Sequence, residues 1–140
     1  MDNDTQFHTL KGYQMNAAAG LTPAMEDYLE MICRMLRNAD VVRIGELAGA
    51  LNVKPSSASK MIRQLMELGY VDAPKYSRIR LTRTGREEGE YLLYRHGVLL
   101  RFLRLLNGND DQLEQAEKIE HFFDRETIRN LDRLTKSLAQ

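Results

Sequence analysis

Apolar side chains recur at helical spacing in the segment that follows residue 20. Met25, Tyr28, Leu29, Ile32 and Leu36 form one stripe, which predicts a helix ending near Asn38. Leu21-Thr22-Pro23 reads as its start: Thr22 can cap, Pro23 fits the first helical position, and Asp27 lies in the early turns. Ile44, Leu47, Ala48 and Leu51 predict a short second helix over 44–51. After the tight Asn52-Val53-Lys54 connection, Pro55-Ser56-Ser57 opens a third, with Ala58, Met61, Ile62, Leu65 and Leu68 apolar and Gly69 as its stop. Two short helices joined this closely are a helix-turn-helix pattern.

The period then drops to two. Tyr70-Val71-Asp72-Ala73 is strand-like, residues 74–78 are turn-like, and Ile79-Arg80-Leu81-Thr82 alternates. A hairpin in that place is a wing. Thr82 or Thr84 caps a long helix from about Gly85 to Leu106, rich in Leu after Tyr91 and broken by Asn107-Gly108-Asn109-Asp110. Two further helices are expected, Asp111–Phe123 and Arg125–Leu138. The expected fold is mainly α: a winged helix-turn-helix over 21–84, then a helical domain over 85–140. Residues 1–20 lack sustained periodicity and read as a flexible extension.

Composition narrows the class. With 140 residues, 43% hydrophobic and 29% charged, the chain fits one domain or two small modules sharing a core. No stretch approaches the roughly 20 apolar residues of a membrane span. The first residues hold no apolar run, so no secretory signal is expected and the protein is placed in the cytoplasm. Cys33 is the single cysteine, which excludes an internal disulfide and a paired-thiol zinc site. The net charge of zero hides an uneven distribution. Residues 41–95 carry ten Lys/Arg against six Asp/Glu, whereas residues 1–40 carry three against six and 107–140 five against eight. Basic segments suit phosphate backbones, and clustered carboxylates suit cations.

The third helix presents Pro55, Ser56, Ser57, Ser59, Lys60 and Arg63 at its start and outer face. Recognition helices bring N-terminal residues to base edges in the major groove, and small hydroxyl side chains allow close approach. Lys54, Lys60 and Arg63 can neutralise phosphates, while Lys75 and Arg78 flank Tyr76 at the wing tip. The ordinary alternative is a plain helix start on a mixed-charge surface.

Three patterns offer metal ligands. Asp27 and Glu30 are three apart on one helix face, Glu117, Glu120 and His121 share another, and His96 sits among Leu92, Leu99, Leu100 and Leu103. If the three helices converge, four carboxylates and two imidazoles meet with no thiolate, a set suited to manganese or ferrous iron. Each pattern has a plainer alternative. Asp27 and Glu30 could be a solvated face with a Glu30–Arg34 ion pair, the 117–121 cluster could be the outer face of a helix, and His96 could be a satisfied core histidine.

In their order along the chain, LTPAMEDYLEMI (21–32), VKPSSASKMIRQL (53–65), LTRTG (81–85), LLYRHGVLLRFL (92–103) and KIEH (118–121) resemble the manganese transport regulators of the diphtheria toxin repressor superfamily. The resemblance covers Leu21 to about Leu138. It implies a repressor of manganese uptake, not an enzyme, that acts as a homodimer on double-stranded operator DNA, with no membrane and no small-molecule substrate. Residues 85–140 would then form the metal-binding and dimerisation domain. It also implies that Asp27, Glu30, His96, Glu117, Glu120 and His121 stand at ligand positions for one or two Mn2+ per protomer, with Glu30 and Glu120 as bridges. Fe2+, Co2+, Zn2+ and Cd2+ are further candidate ions. Asp27 and Glu120 stand where the iron-responsive branch carries Met and Cys. Three departures are visible: the long extension before Leu21, the expected lack of an SH3-like third domain, and Phe122 where a second histidine can occur. An iron-responsive repressor and a metal-independent winged-helix regulator are the alternatives; a helical di-metal enzyme is disfavoured, because the wing has no place in a four-helix bundle.

Overall fold

The computed structural model describes residues 20–74 and 78–140. Helix α1 spans Pro23–Met35, and Thr22 caps it by accepting from the Met25 backbone N–H at 3.2 Å. It ends earlier than the apolar stripe predicts. The stripe itself is correct in position: Tyr28, Leu29 and Ile32 are buried, joined by Cys33. Helix α2 covers Ile44–Leu51 and stops at Asn52, which adopts a left-handed φ of 56°. Helix α3 covers Pro55–Glu67 and buries Ala58, Ile62 and Leu65. Leu68, assigned to that stripe, lies past the helix end and is exposed.

The wing is shorter than its alternating sequence predicts. β1 (Val71–Asp72) and β2 (Arg80–Leu81) pair antiparallel, Val71 opposite Leu81 and Asp72 opposite Arg80. A third segment joins them, because Val42 and Ile79 exchange backbone hydrogen bonds at 3.0 and 2.8 Å. The linker between α1 and α2 is thereby tied to the wing. Lys75, at the expected wing tip, and the expected 1–20 extension up to residue 19 lie outside the described residues.

Helix α4, Arg83–Asn107, is the 25-residue spine. Thr82 caps it by accepting from Gly85 N–H at 3.0 Å, and the Thr82 hydroxyl donates to the Gly69 carbonyl at 2.6 Å. The start of α4 thus sits on the chain between α3 and β1. Gly85 permits that contact, since a Cβ there would lie 1.9 Å from the Tyr70 carbonyl oxygen. One turn on, a Cβ at Gly89 would lie 3.0 Å from Cys33 Cβ, so α4 also presses closely on α1.

Beyond Gly108, α5 (Leu113–Ile119) is followed by a 3-10 turn, Glu120–Phe122, and then α6, Arg125–Ala139. The single helix expected over 111–123 is therefore corrected to a short helix plus a tighter turn. The Asp124 side chain accepts from Thr127 N–H at 2.7 Å, so a new helix begins at once and the chain must turn before it.

Two cores share α4. Leu92 belongs to the core of α1, α2, α3 and the wing; Val98, Leu99 and Leu103 pack with Ala116 of α5 and Ile128 of α6. Among the described residues no helix is long and apolar enough to cross a membrane. Overpacking of this kind costs about 1–3 kcal/mol or more. Gly85→Ala should therefore lower the unfolding free energy by at least that much in chemical denaturation; wild-type stability would contradict the close contact.

Candidate metal centre and nucleic-acid interface

Helix α1 carries Glu26 and Asp27, with Glu30 one turn on, within reach of α4 and the 3-10 turn. From α4 come Arg95 and His96, and from the turn Glu120 and His121. Their ligand atoms form two groups, Asp27–Glu120–His121 and Glu30–His96–Glu120, each with all atoms within 4.8 Å of one another. Glu120 belongs to both. His96 Nδ1 lies 3.1 Å from Glu120 Oε2 and 3.8 Å from Glu30 Oε2. His121 Nε2 lies 3.1 Å from Asp27 Oδ1 and 3.9 Å from Glu120 Oε1.

Burial grades across the cluster. Glu120 is only 2% exposed, His96 is buried and Asp27 is exposed. Glu117 lies outside both groups; it is exposed and lines, with Asp27, Glu30 and Glu120, a cavity of about 280 Å³ that also touches Ala50 and Leu51 of α2. The Glu30–Arg34 ion pair is present, with Arg34 Nη2 donating to Glu30 Oε2 at 3.1 Å. It coexists with the cluster, because the carboxylate is within reach of His96 as well.

Electrostatics follow from this crowding. Desolvation, followed by the nearby Glu120 charge, raises the pKa of Glu30. The hydrogen bond to Glu120 raises that of His96. Hydrogen bonds to Asp27 and then Glu26 push His121 up from 6.5 to about 9. The neighbouring carboxylates thus favour the charged form of both imidazoles, His121 most clearly.

The sequence reading passed over Glu26 and Arg95. Arg95 is 2% exposed and pairs with Glu26 at 3.2 Å, while Glu26 Oε1 is 2.7 Å from His121 Nδ1. Glu26 is adjacent to a singled-out residue, and Arg95 stands in an apolar stretch where a charge needs a partner; that conflict was the available signal.

The donor set suits a divalent ion of intermediate hardness: carboxylates outnumber imidazoles, no thiolate is present, and one buried carboxylate is shared between two groups.

The DNA-facing candidates lie on the opposite side of the helix-turn-helix from its core. Lys54, Pro55, Ser56, Ser57, Lys60, Arg63 and Arg78 are exposed, and Ser59 is half-buried. No carboxylate occupies the first turn of α3, so none of that turn's own side chains offsets the positive end of its dipole.

The fold and this cluster define a class: a winged helix-turn-helix protein whose C-terminal helices share a carboxylate–imidazole centre with its first helix. The family model for the iron-dependent repressor N-terminal DNA-binding domain matches residues 20–79, and that for the iron-dependent repressor metal-binding and dimerisation domain matches 82–140. The HTH-type transcriptional regulator MntR of Oceanobacillus iheyensis is 40% identical over 101 residues, covering 71% of this chain and 69% of the relative. That of Geobacillus thermodenitrificans is also 40% identical, over 71% and 72%. Among solved structures, a manganese-dependent transcriptional repressor in complex with manganese superposes with a TM-score of 0.73 at 30% identity, over 80% of this chain and 52% of that one. The chain spans about half the length of several such structures. This chain belongs to the iron-dependent repressor family, and is a regulator of the MntR type within it.

The histidine shifts fix the sign of a pH dependence. A group whose folded pKa is raised stabilises fully below its unfolded value and loses that contribution as pH rises through the folded one. For His121 the window runs from 6.5 to about 9, and the rise of His96 acts in the same direction. Metal-free protein should be less stable to urea at pH 9 than at pH 6.5, and His121→Gln should flatten the difference. An unchanged slope in that variant would remove His121 from the account.

Proposed function

We propose that the chain is a manganese-activated transcriptional repressor that binds operator DNA as a homodimer in the cytoplasm and controls manganese uptake. The observation that carries this reading is the convergence of α1, α4 and the 3-10 turn on Glu120, with Asp27, Glu30, His96 and His121 around it. Residues 21–84 act as the reading head and 85–140 as the metal-binding and dimerisation part. Asp27, Glu30, His96, Glu120 and His121 hold one or two Mn2+ per protomer. Glu117 reaches the same ions from the rim of the cavity it shares with Asp27 and Glu120. No catalytic step is assigned to any residue.

A bound divalent cation would supply positive charge to the carboxylates that in the metal-free cluster face the imidazoles of His96 and His121. Asp27 and Glu30 belong to the helix that packs against α2 and α4 and shares a core with α3, so holding them fixes the reading head against α4. His96 and His121 must shed protons to act as ligands, so affinity falls with acid. A coupling of about 1–3 kcal/mol between ion and DNA would change operator affinity by roughly 5- to 150-fold. On the DNA side, Ser56, Ser57 and Ser59 approach base edges, while Lys54, Lys60, Arg63, Lys75 and Arg78 neutralise phosphates around Pro55 and the wing. Iron sensing is the second reading, favoured by the same oxygen–nitrogen donor set.

The test is a titration of chelator-stripped protein with Mn2+, following the free aquated ion by electron paramagnetic resonance. Loss of free signal up to one or two ions per protomer, abolished in Glu120→Ala and His96→Ala, is expected. If the wild-type chain leaves all the manganese free, the reading fails. With metal-loaded protein, Lys60→Ala should weaken operator and non-operator DNA alike and lower the salt slope of log K by about one. A loss confined to one sequence would instead make Lys60 a base reader.

A further inference from the structure

We infer that Glu26, clamped by Arg95, is a positioning residue of the centre: its carboxylate accepts a hydrogen bond from the Nδ1–H of His121 and so presents Nε2 as the ligand atom toward Asp27 and Glu120. This rests on the metal-centre reading above and adds to it two residues that touch no ion.

At Nδ1 the geometry allows one consistent proton assignment. His121 Nδ1 lies 2.7 Å from Glu26 Oε1, and Arg95 Nη2 lies 3.4 Å from the same nitrogen. A guanidinium only donates, so Nδ1 either accepts from Arg95 or donates to Glu26. The shorter contact, to a charged acceptor, selects donation to Glu26. Arg95 then serves the carboxylate: Nη2 and Nη1 donate to Glu26 Oε1 and Oε2 at 3.2 and 3.4 Å. With both oxygens engaged by this fork, Glu26 is held back from the ion and fixed as an acceptor.

Across the ring, Nε2 faces Asp27 Oδ1 at 3.1 Å and Glu120 Oε1 at 3.9 Å. A carboxylate on one ring nitrogen fixes which nitrogen is left for the ion and how the ring is turned. The three parts come from three elements, Glu26 from α1, Arg95 from α4 and His121 from the 3-10 turn. A purely structural ion pair would hold the helices equally well without setting the ring's proton.

The experiment uses the full chain with imidazole-labelled histidine, read by nitrogen NMR with Cd2+ as a diamagnetic ion, alongside the Mn2+ titration. In wild type, His121 should carry its proton on Nδ1 and show cadmium coupling at Nε2. Glu26→Gln should keep the fold and metal stoichiometry but weaken Mn2+ by about 10- to 100-fold. The double variant Glu26→Met, Arg95→Met removes both buried charges together, and should lose the same affinity while keeping the wild-type melting temperature. Cadmium coupling at Nδ1, or Mn2+ affinity unchanged in Glu26→Gln, would overturn the role of Glu26 and leave the centre standing. If the wild-type chain takes up neither ion, the centre itself falls and this inference with it.

Discussion

Taking a carboxylate out of water costs several kcal/mol unless other groups replace its hydration. Glu120, at 2% exposure, is the point where the chain meets that cost. Its oxygens face His96 on one side and His121 on the other, both with raised pKa values. To put Glu120 there, the helix begun at Leu113 has to give way to a 3-10 turn, and α6 has to start immediately afterwards. To supply His96, α4 has to run as one helix through both cores. Burial of one charge thus constrains the path of the whole C-terminal half.

The same constraint reaches the reading head. Asp27 and Glu30 sit on the polar edge of α1, whose other face carries Leu29 and Ile32 in the first core. The Gly89–Cys33 approach and the Gly85–Tyr70 contact leave little slack between that core and α4. Movement of the head relative to the C-terminal helices must therefore be small or must break packing. Close-packed interfaces respond by switching between discrete arrangements rather than by deforming smoothly. On the proposed reading, an ion held between α1 and α4 would act on that kind of choice.

Much of the fold was legible because its signals are local. Thr22 and Thr82 cap as their positions predict, and Ala58, Ile62 and Leu65 bury as helical spacing requires. Gly85 in LTRTG has its reason in the Tyr70 carbonyl, a contact that no spacing rule displays. Helix-period reasoning failed where a tertiary demand overrode it, at residues 120–122. The Val42–Ile79 bridge was invisible because isolated pairing across 37 residues leaves no periodic trace. Of the candidate ligands, the two groups bring together Asp27, Glu30, His96, Glu120 and His121, while Glu117 stays at the cavity rim. Glu26 and Arg95 escaped notice because neither is an expected ligand, and a buried ion pair between distant helices has no sequence signature.

On the proposed reading, selectivity cannot come from affinity alone. Imidazole and carboxylate donors bind later first-row ions more strongly than manganese. A centre that favours manganese must therefore discriminate by how many donors an ion engages and where it pulls them. Here the donors differ in freedom: Glu120 and His96 are buried, whereas Asp27 and Glu117 are exposed. An ion satisfied by few ligands can stop at the buried set, leaving α1 less firmly held. Holding an ion that demands more oxygen donors would call on Asp27 of α1 and Glu117 of α5 as well, which line the same cavity. Uneven burial of the ligands thus gives the chain a physical means to bind several ions and to be switched by one.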